Sequence, residues 1–118
     1  MSIKTTFSGK VQRFNGDNLE LNKRISGTRT ITEYGGQKIS IAPGSTDISI
    51  RPAGLACIRT VYIETDNKIN VETTGVRTAS IDLYANGILV MMNASLSNIK
   101  LSNRSATLTS QPFYDLSG

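Results

Sequence analysis

Isoleucine and serine alternate twice in quick succession, in Ile39-Ser40-Ile41-Ala42-Pro43-Gly44 and again in Ile48-Ser49-Ile50-Arg51-Pro52-Ala53-Gly54. Alternation with period two gives a strand one apolar face and one polar face. Proline offers no N–H to a ladder and glycine turns without steric penalty, so each segment carries its own stop. This rhythm of short, half-buried strands and sharp stops runs on to the C-terminus and specifies an all-β chain. No further Ile-Ser-Ile-x-Pro copy follows, so the echo is not the unit of a solenoid.

Eight strands are expected from the echo onward, at about 38–42, 46–51, 56–64, 68–73, 79–84, 88–93, 98–102 and 106–110. Their starts are spaced at roughly 8–12 residues, the interval of an antiparallel sandwich or barrel. The 118 residues suffice for one domain. Aromatic residues make up only 6%, so the core must come from Ile, Leu and Val. Turns are expected at Thr65-Asp66-Asn67, Asn86-Gly87 and Asn103-Arg104-Ser105, with Asn86-Gly87 as a tight hairpin turn. Leu89-Val90-Met91-Met92 breaks the alternation and predicts a strand covered on both faces. One cover is the core; the other is the N-terminal segment or a neighbouring subunit. Phe113-Tyr114 is expected to pack back on the body, because buried aromatics are usually core. No stretch sustains a 3.6-residue period, so little or no helix is expected.

The net charge of +4 belongs to the first third. Residues 1–38 hold seven basic residues and three acids, whereas residues 39–118 hold six of each. Alternation there is weak, and turn signals such as Asn15-Gly16-Asp17-Asn18 and Gly35-Gly36 interrupt it. The chain therefore divides into a basic N-terminal arm or edge segment, residues 1–37, and a β-sandwich body, residues 38–118. Phe7, Val11, Phe14, Leu19 and Leu21 give the first segment enough apolar surface to dock. Either it does so as an arm, or it adds one or two edge strands to the body. The residues expected to contact a partner are Lys4, Phe7, Lys10, Arg13, Phe14, Lys23, Arg24 and Arg29.

Several chemistries are disfavoured. The chain has no histidine, which removes the usual general base and the commonest metal ligand. Its single cysteine excludes an intrachain disulfide and a thiolate zinc site. Cys57, within Leu55-Ala56-Cys57-Ile58, reads as a small buried hydrophobe. The nine acids are scattered beside turns and on polar strand faces. Glu64-Thr65-Asp66-Asn67 holds oxygens of the kind calcium takes, but Asp and Asn also populate turns on their own account. No catalytic residue, cofactor or metal is expected. Arg59, Arg77 and Arg104 stand apart and are expected to pair with local acids. No apolar run approaches the roughly 20 residues of a membrane span. Met1-Ser2-Ile3-Lys4 lacks the apolar core of a signal peptide, which points to a cytoplasm or a particle assembled there. The basic segment interleaves Phe7 with Lys10 and Phe14 with Arg13, a thin version of a nucleic-acid surface; a protein-docking surface is the favoured reading.

Three runs together resemble a known class. They are Ile63-Glu64-Thr65-Asp66-Asn67-Lys68-Ile69-Asn70-Val71-Glu72, then Ile81-Asp82-Leu83-Tyr84-Ala85-Asn86-Gly87-Ile88-Leu89-Val90-Met91-Met92-Asn93, then Ile99-Lys100-Leu101-Ser102-Asn103-Arg104-Ser105-Ala106-Thr107-Leu108-Thr109. This order of strands and turns resembles small all-β virion proteins of tailed bacteriophages, which decorate or cement heads or line tails. The resemblance covers residues 38–118 and leaves the basic segment outside. It implies a jelly-roll-like sandwich, repeated copies with a homotrimer favoured, and contacts to a major capsid protein or a neighbouring virion protein. It also implies localisation in the virion. Two other readings stay open. One is a tail or fibre module that binds host carbohydrate through Tyr34, Tyr62, Tyr84 and Phe113-Tyr114; the other is a nucleic-acid binder using the basic segment.

Overall fold

The computed structural model describes residues 3–31 and 34–118. They form ten strands and no helix: β1 (Ile3–Asn15), β2 (Asn18–Ile31), β3 (Tyr34–Lys38), β4 (Ile48–Ser49), β5 (Thr60–Glu64), β6 (Ile69–Gly75), β7 (Thr78–Leu83), β8 (Ile88–Met91), β9 (Leu96–Ser102) and β10 (Phe113–Ser117). Three antiparallel sheets result, ordered β1-β2, β3-β10-β5-β8 and β4-β9-β6-β7. The chain divides into two compact units, a ribbon of β1 and β2 and a body of β3 to β10.

Pairing in the body is nested. β3 pairs with β10, β4 with β9, β5 with β8 and β6 with β7. Two further pairings, β5 with β10 and β6 with β9, close this nested ribbon into its two four-stranded sheets. The sheets share one apolar core, a sandwich-like arrangement. Val61, Ile63, Tyr114 and Leu116 come from one sheet, and Ile69, Val71, Leu83, Ile99 and Leu101 from the other. Ile41, Ile50, Leu55 and Ile58 join from the connecting segments. Burying one such aliphatic side chain contributes roughly 1.5–3 kcal/mol, so the aliphatics dominate the core as the composition requires.

The opening echo has the expected sidedness. Ile41 and Ile50 are buried while Ser40 and Ser49 are exposed. Each copy ends at a glycine with positive φ, Gly44 at 79° and Gly54 at 86°. Only the second copy lies in a strand, however, and Ile41 meets Ser110 in an isolated bridge.

Other expectations need correction. Gly35-Gly36 is not a turn but the middle of β3. A Cβ on Gly35 would stand 2.7 Å from Pro52 Cγ, and one on Gly36 would stand 2.5 Å from the Tyr114 carbonyl. These glycines permit close approach. The body's first strand thus begins a few residues before the expected boundary at 38. Asn86-Gly87 is no hairpin turn: it joins β7 to β8, which lie in different sheets. Of the two, only Asn86 has positive φ, at 61°, and the Gly87 N–H donates to the Tyr84 carbonyl at 2.8 Å. Residues 106–110 form no strand beyond the bridge at Ser110.

Asn103 explains that last departure. Its side chain is fully buried and donates to the Ile41 and Leu108 carbonyls at 2.9 and 2.8 Å. Its Oδ1 accepts from the Ser105 N–H at 3.0 Å. Ser105 Oγ accepts from the N–H groups of Thr107 and Leu108. Side-chain bonds of this kind compete with a ladder and hold the segment as a loop. The eighth strand of the body is instead β10, built on Phe113-Tyr114 and inserted between β3 and β5.

Candidate functional site

The ribbon is built from its turn outward. Only Gly16 and Asp17 separate β1 from β2, and Gly16 has φ +63°. Positive φ at the first of two central residues is the position a type II′ turn gives to glycine. The register then runs from Asn15 opposite Asn18 to Ile3 opposite Ile31, with one irregularity at Arg13/Phe14. That bulge leaves Glu20 outside the pairing, where its carboxylate meets Arg13 Nε at 3.4 Å. Both side chains are well exposed, so the pair contributes roughly 0–1 kcal/mol. It is the one ion pair among the described residues; Arg59, Arg77 and Arg104 form none.

No described side chain of the ribbon is buried. Lys4, Lys10, Arg13, Phe14, Lys23 and Arg24 are all exposed, and Phe14 retains 59% of its surface. Phe7 and Arg29 take register positions opposite Gly27 and Thr5; their side chains lie outside the described residues. The register separates the expected contact residues onto two faces. Lys4, Lys10 and Arg24 share one with Gln12 and Asn22, whose amides meet at 3.3 Å. Arg13 and Lys23 share the other with Val11 and Leu21. Lys10 stands directly opposite Arg24, and like charges so placed destabilise a pair of strands. An acidic surface laid over that face removes the penalty. An isolated two-stranded ribbon is marginal in water, and no described side chain of this one is buried.

The body offers a second surface that the sequence only hinted at. Within the body, the apolar run at 89–92 and the preceding Ile88 are covered on one face. Leu89 and Met91 pack on the core, while Ile88 and Val90 are 59% and 41% exposed. Period-two alternation persists through the run and points these two outward. The register sets Ile88 opposite Glu64 and then Phe113, and Val90 opposite Tyr62 and then Asp115. The Tyr62 and Phe113 rings meet edge-on at 6.2 Å. Tyr62 donates to Glu64 Oε2 at 2.8 Å, and this bond is the main cause of its phenol pKa lying above the usual value. Burial raises the Asp115 carboxyl. β8 is the edge of its sheet, so its outer backbone groups have no strand partner.

The body has two clefts of note, the first beside these strands and the second at β6 and β7. One, of about 400 Å³, is lined by Lys38, Glu64, Asp66, Asn86, Gln111 and Phe113 among others. Asp66 Oδ1 accepts from the N–H groups of Gln111 and Asn67, both at 2.7 Å. The Gln111 bond is the main reason its carboxyl lies below the ordinary range. The Asp66 carboxylate thus fastens the turn after β5 to the segment before β10, the turn role expected of Glu64-Thr65-Asp66-Asn67. The other cleft, of about 360 Å³, holds Lys68, Asn70, Asp82 and Arg104. There Asn70 donates to Ser80 Oγ at 2.7 Å and Asp82 Oδ1 at 3.1 Å, and Lys68 Nζ stands 4.8 Å above the Tyr84 ring.

Cys57 is half-exposed rather than buried, with Sγ 3.8 Å from Ser95 Oγ; its neighbours Leu55 and Ile58 fill the core positions. Among the described residues no three His, Cys, Asp or Glu side chains come together as a metal site. Sequence reasoning named Val90 and Tyr62 separately but did not join them with Ile88, Glu64 and Asp115 as one surface. The residue parity of the 88–92 run was the available signal. Comparison with protein-family models, with curated proteins and with solved structures returns no match to this chain.

Proposed function

We propose that this chain is a non-enzymatic structural component of a tailed-bacteriophage particle that decorates or cements the capsid through protein–protein contacts. The observation that carries this reading is the nested strand pairing. Sheets ordered β3-β10-β5-β8 and β4-β9-β6-β7 are what an eight-strand ribbon gives when rolled into a jelly roll, an architecture used by viral capsid and lectin domains. The ribbon supports it as a basic arm. It has exposed cations, two of them directly opposed, and no buried side chain among those described. In this reading the Lys4, Lys10 and Arg24 face lies on an acidic surface of the major capsid protein or another virion protein. The copies cluster as a homotrimer where three capsid subunits meet.

The full chain is then expected to co-sediment with bare phage heads and to be released as salt rises, because exposed charge contacts are screened. Lys10→Glu with Arg24→Glu weakens that binding at low salt. Absence of co-sedimentation at low salt overturns the reading. A second reading, a carbohydrate-binding tail or fibre module, draws on the cleft that sets Phe113 among Glu64, Asp66, Asn86 and Gln111. A glycan array decides it, and an array without hits removes it.

A further inference from the structure

The ribbon and the outer face of β8, β5 and β10 complement each other in two independent ways. The first is apolar. Val11 on the ribbon is 45% exposed and shares a face with Leu21, while Ile88 and Val90 are 59% and 41% exposed on the body. The second is charge. The ribbon sequence between Ile3 and Ile31 holds six basic residues against two acids, and Arg13 and Lys23 flank Val11 and Leu21. On the body, Glu64 stands beside Ile88, Asp115 stands beyond Tyr62 in the row of Val90, Asp66 follows in the next turn, and Lys38 of β3 is the one base on the four strands of that sheet. Each surface sets exposed apolar side chains directly beside charges, and the prevailing sign is opposite on the two, which favours specific association.

We propose that the Val11–Leu21 face of one copy's ribbon lies on the β8–β5–β10 outer face of a second copy. The contact is head-to-tail: every copy gives a ribbon and receives one. Heterologous contacts of this kind build closed rings when the rotation closes. The opposite face of the same ribbon, with Lys4, Lys10 and Arg24, stays free for the shell. The proposal rests on the reading above only in taking the ribbon as a surface completed by another protein.

A mixing experiment tests it on full-length chains by light scattering. A donor-defective variant carries Val11→Asp and Lys23→Glu. An acceptor-defective variant carries Ile88→Lys and Val90→Lys. All four sites are exposed, and a cooperative urea transition of each variant verifies folding. Wild type is expected to run as an oligomer and each variant alone as a monomer. Mixed one to one, the variants keep one intact junction and form a heterodimer that grows no further. A monomeric wild type, either variant retaining the oligomeric mass, or a mixture that stays monomeric overturns the proposal. A monomer that still binds bare heads spares the decoration reading while sinking this one; an oligomer without affinity for heads does the opposite.

Discussion

The ribbon has the longest strands in the molecule, 13 and 14 residues, and no described buried side chain. The body has strands of two to seven residues and a core of thirteen buried apolar side chains. Both are made of the same Ile, Ser and Thr. What differs is what lies behind the sheet. In the body, a second sheet removes one face of each strand from water, so two-residue β4 holds its place by its own Ile48 and the adjoining Ile50. In the ribbon, backbone pairing and exposed contacts such as Gln12–Asn22 and Arg13–Glu20 connect the strands, and no described side chain is buried. Length in a sheet therefore measures hydrogen bonding, whereas stability follows burial.

Paired substitutions can break that contrast, and all four tyrosines lie in the body, so their fluorescence reports its unfolding. Leu101→Ala should cost about 2–5 kcal/mol in a urea melt, because Leu101 is fully buried. Leu19→Ala in the ribbon, at a site 47% exposed, should leave the body's midpoint in place. Equal losses would mean that the ribbon shares the body's core. Asn103→Ala should cost roughly 1–3 kcal/mol, since two carbonyls lose a buried donor. Asn22→Ala removes only an exposed amide contact and should be silent.

Glycine gives a third contrast. Gly36→Ala drives a Cβ against the Tyr114 carbonyl and should destabilise the body by about 1–3 kcal/mol. Gly9→Ala meets nothing within 4 Å and should be neutral for the body. The smallest effects are in pH dependence. The lowered pKa of Asp66 supplies stability that is complete above the ordinary carboxylate range and is lost as pH falls through the folded value. Asp115, raised by burial, has the opposite sign: its folded state favours the proton, and that advantage is lost as pH rises through the raised value. Asp115→Asn should therefore raise the urea midpoint at neutral pH but not in acid. Asp66→Ala should lower it at neutral pH, with the difference closing in acid.

Much of the body was legible because period-two alternation records burial. Ile69, Val71, Ile99 and Leu101 are apolar because one sheet covers the other, and the pattern shows it. The ribbon was not legible for the same reason. β1 places Lys4, Thr6, Ser8, Lys10 and Gln12 at successive positions on one side, all exposed, and no described ribbon side chain is buried to contrast with them. Its turn, Asn15-Gly16-Asp17-Asn18, was visible because glycine's φ is a local property. Gly35-Gly36 looked the same and meant something else, since the Pro52 and Tyr114 atoms that demand it are remote in sequence. Asn86-Gly87 marked a turn but could not say which sheet the chain would enter next. Among the residues expected to contact a partner, composition located the ribbon cations, but only the register shows that they divide between two faces.

The position of β10 has a consequence for how the molecule is made. It is the last strand of the body to leave the ribosome, yet it fills the gap between β3 and β5. Until residues 113–117 arrive, both neighbours present open edges, and a neighbouring nascent chain can supply the missing strand in place of the chain's own. Assembly on a crowded polysome thus carries an inherent risk of strand exchange, and quick capture of β10 is what keeps each body self-contained.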